Sequence, residues 1–243
     1  MSVSGNRRIA IVGVGSAMSK SLATWLATLG WNIALISRSE QNLSKIAQDV
    51  IRVQKNSQSK VVYRAADASE PDSLKAALDW SVQELGGKLD VLNYNAARVA
   101  ASDITTVTPE ELEMDFRVSA IGTLVAGQWF QENASVDRVE GEKPLFLVTG
   151  GVLDKHPIPP VASLSTAKAA SQTVSRLFAQ VLPEQAGILV GMPLVSGVIT
   201  DLETGEFNPD FHPDDIIQNI FRPFFEDRER MTDGLEWTVE RVM

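Results

Sequence analysis

The most constraining part of the chain is residues 8–30, RIAIVGVGSAMSKSLATWLATLG. Its apolar, β-branched run over 9–12 ends at Gly13 and predicts a buried parallel strand. A turn rich in glycine and serine follows, and from Ser19 apolar residues recur at helical spacing until Gly30. A strand, a tight glycine turn and a helix present backbone N–H groups to a phosphate. We therefore interpret this stretch as a dinucleotide-binding unit, the alternative being a turn without a ligand.

The rest of the sequence alternates in the same way between strand-like and helix-like segments. The predicted strands cover 9–12, 31–37, 61–66, 89–94, 144–149, 187–195 and 235–242, and the longer helices cover 109–130, 163–182 and 213–225. Such alternation requires right-handed crossovers and gives a parallel sheet covered on both faces. The predicted fold is α/β, with one domain over 1–243 built on a Rossmann-type doubly wound sheet of about seven strands. Pro193 predicts irregular pairing in the sixth strand.

Composition excludes several classes of function. The 22 basic against 31 acidic residues give a net charge of −9, which argues against nucleic acid or an anionic membrane as partner. The chain has no cysteine and only His156 and His212, so we expect no metal site. No apolar segment approaches the ~20 residues that span a bilayer. We expect a cytoplasmic protein that acts on a small molecule.

The order of these segments resembles the short-chain dehydrogenase/reductase family over essentially the whole chain. The glycine turn of that family, Gly-x-x-x-Gly-x-Gly, falls on Gly13, Ala17 and Ser19, so only its first glycine is kept, and Gly15 lies inside the turn. The Asn-Ala-Gly motif of the family appears as Asn95-Ala96-Ala97 after the fourth strand.

Two further positions carry the resemblance. Asp67 matches the acidic residue that contacts adenine in the family. Ser196-Gly197 matches the turn after the sixth strand, which is usually Pro-Gly.

The four catalytic positions of the family are mostly substituted. Its Tyr-x-x-x-Lys pair falls on Leu164 and Lys168, its serine on Gly151, and its helical asparagine on Ser119, so only the lysine is retained. The resemblance implies that Lys168 binds the nicotinamide ribose. Leu164 has no proton to give, and a positioned general acid contributes a factor of about 10²–10⁴ in rate. The rate of ordinary carbonyl reduction is therefore expected to be very low.

Other polar residues near the predicted cleft are candidates for the missing chemistry. Asp154 and His156 follow the Gly150-Gly151 turn and are predicted to face the cleft. The alternatives are a turn-capping aspartate and an exposed loop histidine. Arg98 either anchors an anionic or carbonyl oxygen of the substrate or pairs with a nearby acid.

The end of the second strand favours a phosphorylated cofactor. Ser37-Arg38-Ser39 stands where an NAD enzyme of this type carries an acid, and Arg38 suits a ribose 2′-phosphate. The alternative is a solvated arginine. The predicted cofactor is NADP(H), and the predicted cofactor-binding residues are Gly13, Gly15, Ser16, Met18, Ser19, Arg38, Asp67, Ala68, Asn95, Ala96, Lys168, Gly197 and Ile199.

Three hypotheses of function follow. The first is an NADPH-dependent reductase, in secondary metabolism, of an iminium or an activated double bond, neither of which needs a proton on a carbonyl oxygen to accept hydride. The second is a non-redox isomerase or cyclase, and the third is a catalytically silent NADP(H)-binding protein. By resemblance, the helices over 109–130 and 163–182 are expected to form a homodimer or homotetramer.

Overall fold

A parallel sheet forms the centre of the protein, whose computed structural model describes residues 7–136, 142–200, 204–230 and 236–243. In these ranges the strands are β1 (Arg8–Val12), β2 (Asn32–Ser37), β3 (Val61–Ala65), β4 (Val91–Tyr94), β5 (Leu145–Val148), β6 (Gly150–Gly151), β7 (Leu189–Val195) and β8 (Glu240–Val242). They follow the order β3-β2-β1-β4-β5-β7-β6, with β8 paired to β7, and every strand pair is parallel. The predicted doubly wound α/β fold is confirmed.

Helices connect the strands. They are α1 (Met18–Thr28), α2 (Glu40–Arg52), α3 (Pro71–Leu85), α4 (Pro109–Phe116), α5 (Gly122–Asn133), α6 (Ala162–Ala186), α7 (Pro213–Ile216) and α8 (Arg222–Arg230). Several begin as the sequence indicates. Ser39 caps α2, and Thr108 forms a capping box with Glu111 at the start of α4.

The core lies on both faces of the sheet. Ile9 and Ile11 of β1 belong to one buried apolar cluster, whereas Ala10 and Val12 belong to the other. Because successive side chains of a strand point to opposite faces, this division shows that helices cover the sheet on both sides.

Some element boundaries differ from the prediction. The sheet has an additional short strand at Gly150–Gly151, and α6 continues to Ala186 with Pro183 inside it. The predicted strand over 235–242 begins at Leu235, which lies outside the described residues, and the described strand is Glu240–Val242. The predicted irregularity at Pro193 is present: the pairing of β7 with β5 ends at Gly191 and resumes with β6 at Leu194.

The predicted helix over 109–130 contains a π-helical turn at Arg117–Ile121, between α4 and α5. Here the buried Tyr94 hydroxyl donates to the Val118 carbonyl oxygen. A Cβ added to Gly122 would lie 1.8 Å from the Tyr94 hydroxyl oxygen. Glycine therefore lets the tyrosine reach the helix backbone, and burial raises the pKa of Tyr94. A second π-helical turn, Ile217–Phe221, joins α7 to α8.

None of the described helices is both long enough and apolar enough to cross a membrane.

Candidate active site

The turn after β1 approaches the loop after β4 so closely that no side chain fits between them. Gly13 has a φ of +85°, and a Cβ built on it would lie 2.3 Å from the backbone nitrogen of Ala96. Both the conformation and the contact require glycine. The Asn95 amide donates to the Gly13 carbonyl oxygen at 3.1 Å, which fixes the two loops together.

Ser19 serves this contact. Its hydroxyl donates to the Gly13 carbonyl oxygen at 3.1 Å and accepts from the Asn95 amide at 2.7 Å. The side chain is buried. The prediction that Ser19 binds the cofactor is therefore corrected for its hydroxyl, which holds the turn.

The following residues form an open cradle at the N-terminus of α1. Gly15 and Ser16 are exposed, and a Cβ added to Gly15 would meet no protein atom within 4 Å. Ala17 gives the helix no side-chain cap, and the first turn of α1 has no acidic residue. Met18 is partly buried and packs against the core. An uncapped helix N-terminus beside free space fits a phosphate group.

Asp67 and Arg38 lie together at the neighbouring strand ends. One oxygen of Asp67 accepts from the Ser69 backbone N–H at 2.9 Å and from the Ser69 hydroxyl at 2.8 Å. These bonds, with a smaller contribution from the positive charge of Arg38, lower the pKa of Asp67. Arg38 is exposed, and its guanidinium has no hydrogen-bond or ion-pair partner among the described residues. The backbone of Ala68 lies on the other side of Asp67, facing Gly122.

Lys168 projects from α6 to the end of β5. Its ammonium group donates to the Thr149 carbonyl oxygen at 2.9 Å. The side chain is partly buried, and desolvation lowers the pKa of Lys168 to about 8. Lysine is thus held at the carboxyl edge of the sheet, just after β5.

The other three positions of the predicted tetrad surround this lysine in sequence and structure. Leu164, one turn earlier on α6, is 8% exposed and belongs to neither of the two core clusters. Gly151 lies in β6, and its carbonyl oxygen accepts from the Gln172 amide at 2.7 Å. Ser119 lies in the π-helical turn, and its buried hydroxyl oxygen has no hydrogen-bond partner in the described chain.

Asp154 and His156 do not join Lys168. Asp154 accepts from Arg176 at 2.7 Å, and Arg176 also donates to Glu240 of β8 at 2.6 Å. This pairing lowers the pKa of Asp154 against the effect of burial. His156 is exposed on the turn after β6. Asp154, predicted either to face the cleft or to cap a turn, thus has one carboxylate oxygen paired with Arg176.

Arg98 pairs with an acid, one of the two predicted alternatives. Its Nε donates to one oxygen of Asp115 at 2.6 Å and its Nη2 donates to the other at 3.3 Å. The side chain of Asp115 is 2% exposed, whereas that of Arg98 is 27% exposed. The arginine is therefore fixed on one side and open to solvent on the other.

The turn after β7 forms the remaining wall. The Phe211 ring packs against Gly197 so closely that a Cβ there would overlap it, at 2.0 Å. The Ile199 carbonyl oxygen accepts from the Asn208 backbone N–H at 2.9 Å. The Ser196 backbone N–H and hydroxyl both donate to the Met243 carbonyl oxygen, so the residue after β8 fixes this turn.

Among the described residues there is no group of three or more histidine, aspartate or glutamate side chains arranged for a metal ion. A cavity of about 400 Å³ lies between the loop after β4, α4 and Pro160. None of the predicted cofactor-binding residues lines it.

Sequence reasoning missed three side chains that shape the site: Tyr94, Asp115 and Gln172. Each acts on a distant part of the chain, namely Val118, Arg98 and Gly151. A local signal in the sequence was present for Asp115 alone. It lies four residues before Ser119, and helix residues four apart share a face, so an acid is expected on the same side of the helix as Ser119.

The sequence pattern of the family described as short chain dehydrogenase matches residues 7–208. The chain belongs to this family.

Curated relatives are distant. A versicolorin reductase from Emericella nidulans is 25% identical over 184 residues, which cover 74% of this chain and 66% of the relative. A trihydroxynaphthalene reductase from Colletotrichum orbiculare is 25% identical over 192 residues, which cover 79% of this chain and 64% of the relative. The chain thus spans less than two thirds of the length of these relatives.

The fold is shared with solved structures. An alcohol dehydrogenase from the archaeon Thermococcus sibiricus, complexed with 5-hydroxy-NADP, superimposes with a TM-score of 0.77. The two chains are 21% identical, and the superposition covers 98% of this chain and 95% of the other.

The desolvated Lys168 predicts a pH-dependent effect on stability. Between pH 8 and the ordinary lysine pKa of 10.5, the unfolded chain binds more protons at this residue than the folded one, so wild-type stability gains as pH rises through this window. Lys168→Met removes the buried charge at the cost of the Thr149 hydrogen bond. Relative to the wild type, we expect the stability of the variant to be highest at pH 7 and to fall by about 2–3 kcal/mol between pH 8 and 10.5, because each pKa unit corresponds to about 1.4 kcal/mol.

Urea denaturation at pH 7, 9 and 10.5 measures this effect. The control is Lys45→Met, because Lys45 is exposed on α2. A difference between Lys168→Met and the wild type that stays constant with pH would show that Lys168 titrates normally.

Proposed function

We propose that the protein is an NADPH-dependent reductase whose hydride acceptor needs no proton from a tyrosine. The observation that carries the proposal is the placement of Lys168. Its ammonium group lies at the carboxyl edge of the sheet, 2.9 Å from the Thr149 carbonyl oxygen, and Leu164 stands one turn before it. This placement supports a site that holds the cofactor but offers no proton from the side chain of residue 164.

The residues at the cleft fit a phosphorylated dinucleotide. The space at Gly15 and the uncapped N-terminus of α1 suit the pyrophosphate. Arg38, which has no partner in the described chain, suits the 2′-phosphate of the adenosine ribose. The second oxygen of Asp67 suits the adenine amino group, and Lys168 suits the hydroxyls of the nicotinamide ribose.

The nicotinamide, when bound, supplies the hydride, and the chain determines which acceptor can use it. Hydride transfer to a ketone produces an alkoxide that must be protonated, and the side chain of Leu164 has no proton to donate. An iminium becomes a neutral amine on accepting hydride, and an activated double bond spreads the negative charge over a conjugated system. We therefore propose these acceptors over simple ketones. The two fungal relatives are named as reductases, which supports a reduction.

A non-redox isomerase or a silent NADP(H)-binding protein remains the alternative, because both also dispense with a tyrosine. The alternatives differ from the reductase in one measurable respect, which is the consumption of NADPH.

The cofactor proposal predicts a preference for NADPH. Fluorescence titration of the purified protein is expected to show at least ten-fold tighter binding of NADPH than of NADH. Arg38→Ala is expected to remove most of that preference, because a charge-assisted hydrogen bond contributes ~1.5–3 kcal/mol. Arg52→Ala is the matched control, since Arg52 is an exposed arginine at the end of the next helix. Equal affinities for the two cofactors in the wild type would contradict the assignment of Arg38.

The acceptor proposal predicts a difference between substrates of similar shape. NADPH oxidation is expected with 3,4-dihydroisoquinolinium or cyclohexenone, and cyclohexanone is expected to react about 10²–10⁴ times more slowly. Leu164→Tyr is expected to raise the rate with cyclohexanone and to leave NADPH affinity unchanged. If NADPH binds but the protein oxidises it with none of these compounds, the silent-binding alternative is favoured.

We also propose a homo-oligomer formed through α4, α5 and α6. These helices and the π-helical turn between α4 and α5 carry exposed apolar side chains at Met114, Ile121, Leu124, Leu177 and Val181. Light scattering is expected to give a mass that is a multiple of 26.5 kDa. Leu177→Glu is expected to shift the mass to that of the monomer, whereas Ile51→Glu, at an exposed position on α2, is not. A wild-type monomer at micromolar concentration would refute this proposal.

A further inference from the structure

One loop connects the cofactor cradle to the start of α6. It begins at Asn95, whose amide is bonded to Gly13, and it reaches Ser102, whose hydroxyl accepts from the Ser163 backbone N–H at 3.0 Å. Ser102 is fixed further by backbone hydrogen bonds with Pro160 and Ala162. Arg98 lies in the loop between these two fixed ends, and this loop runs from the cradle to the start of the helix that carries Lys168.

Asp115 places the Arg98 guanidinium near the same part of α6. Along α4 and α5, Glu111 is bonded to Ser163, and Thr123 is bonded to Ser171. In sequence, Asp115 lies between Glu111 and Thr123, and Leu164 and Lys168 lie between Ser163 and Ser171. α4 therefore packs against the start of α6, and Asp115, one turn after Glu111, holds the Arg98 guanidinium to this part of α4.

The guanidinium retains donors for a ligand. Asp115 takes the Nε and one Nη2 hydrogen, whereas Nη1 has no partner among the described residues. The buried carboxylate holds the planar group in a single orientation, which is how arginine becomes a pre-organised partner for an oxygen anion.

Apolar side chains surround this edge of the sheet. The loops that follow β4, β6 and β7 carry exposed large apolar residues, namely Val99, Ile104, Ile158, Val198 and Phe207. β6 pairs with β7, and β5 lies between β7 and β4; because all these strands are parallel, the loops that follow them lie at the same edge of the sheet. A site of this kind suits an apolar ligand whose orientation is fixed by a few polar groups.

From these observations we propose that Arg98, oriented by Asp115, binds an oxygen that carries negative charge, or gains it during reduction, on an otherwise apolar substrate. The inference deepens the proposed function by naming the class of substrate. It also explains how a site without a tyrosine reduces an activated double bond. When hydride adds to the double bond, the electron pair moves onto the conjugated carbonyl oxygen, and Arg98 stabilises that charge until water protonates the carbon.

A matched pair of ligands tests the charge requirement without any turnover. Calorimetric titrations use 2-naphthoate, which carries a carboxylate, and 2-naphthamide, which has the same shape without the charge. Each is titrated with and without saturating NADPH. We expect the wild type to prefer naphthoate, and we expect Arg98→Met to weaken naphthoate binding by about ten- to a hundred-fold with less than a three-fold change for naphthamide.

Two variants complete the design. Arg117→Met is the control, because Arg117 is an exposed arginine paired with Glu113 on neighbouring turns of the same helix. Arg98→Lys keeps the charge but loses the bidentate contact, and we expect it to restore only part of the naphthoate affinity. NADPH affinity is measured for every variant and is expected to stay within two-fold of the wild type.

Asp115→Asn tests whether Asp115 is a positioning residue. The substitution adds one net positive charge near the ligand, so a purely electrostatic role predicts tighter naphthoate binding. Positioning predicts weaker binding, by about three- to ten-fold, because the guanidinium loses its fixed orientation. Tighter binding would overturn the role of Asp115.

The proposal for Arg98 fails if the wild type binds naphthoate no better than naphthamide, or if Arg98→Met weakens both ligands equally. If the wild type does not bind NADPH at all, the cofactor assignment is refuted instead. The two results are separate because the naphthoate preference is also measured without NADPH.

Discussion

The contact between Gly13 and Ala96 is the constraint on which the site depends. It joins the end of β1 to the end of β4 at a distance that excludes any side chain at residue 13. The Asn95 amide and the Ser19 hydroxyl secure the contact with hydrogen bonds to the Gly13 carbonyl oxygen. Because these bonds use carbonyl and side-chain groups, the backbone N–H groups at the start of α1 stay open. The same contact fixes the start of the loop that carries Arg98.

The two halves of the site meet different physical demands. The half that faces the cradle is polar, and its pattern of free N–H groups and unpaired arginine suits an anion. The half that faces α6 contains a leucine where the family resemblance predicts a tyrosine, and a lysine whose charge is poorly solvated. A tyrosine at this position would gain from that charge. Without it, the hydrogen-bond partner of Lys168 in the described chain is the Thr149 carbonyl oxygen.

The sequence was sufficient for the fold because the signals of the fold are local. Apolar runs of strand length, the capping residues Ser39 and Thr108 and the glycine after β1 each act within a few residues. The pattern could not indicate that the Ser19 hydroxyl turns inward, since its partner Asn95 lies far away in the chain. The Arg98–Asp115 and Asp154–Arg176 ion pairs could not be predicted for the same reason, because their partners are distant in sequence. The π-helical turn depends on Tyr94 and Gly122 from different elements, so helical periodicity alone predicted one uninterrupted helix.

Arg176 joins parts of the molecule that are far apart in sequence, because it holds both Asp154 and Glu240. Met243 adds a second connection through Ser196. The short strand β8 is therefore attached to the turn after β6 and to the turn after β7, which are two walls of the cleft. When β8 separates from the edge of the sheet, both turns lose their supports at once, so these three segments form one cooperative unit of local unfolding.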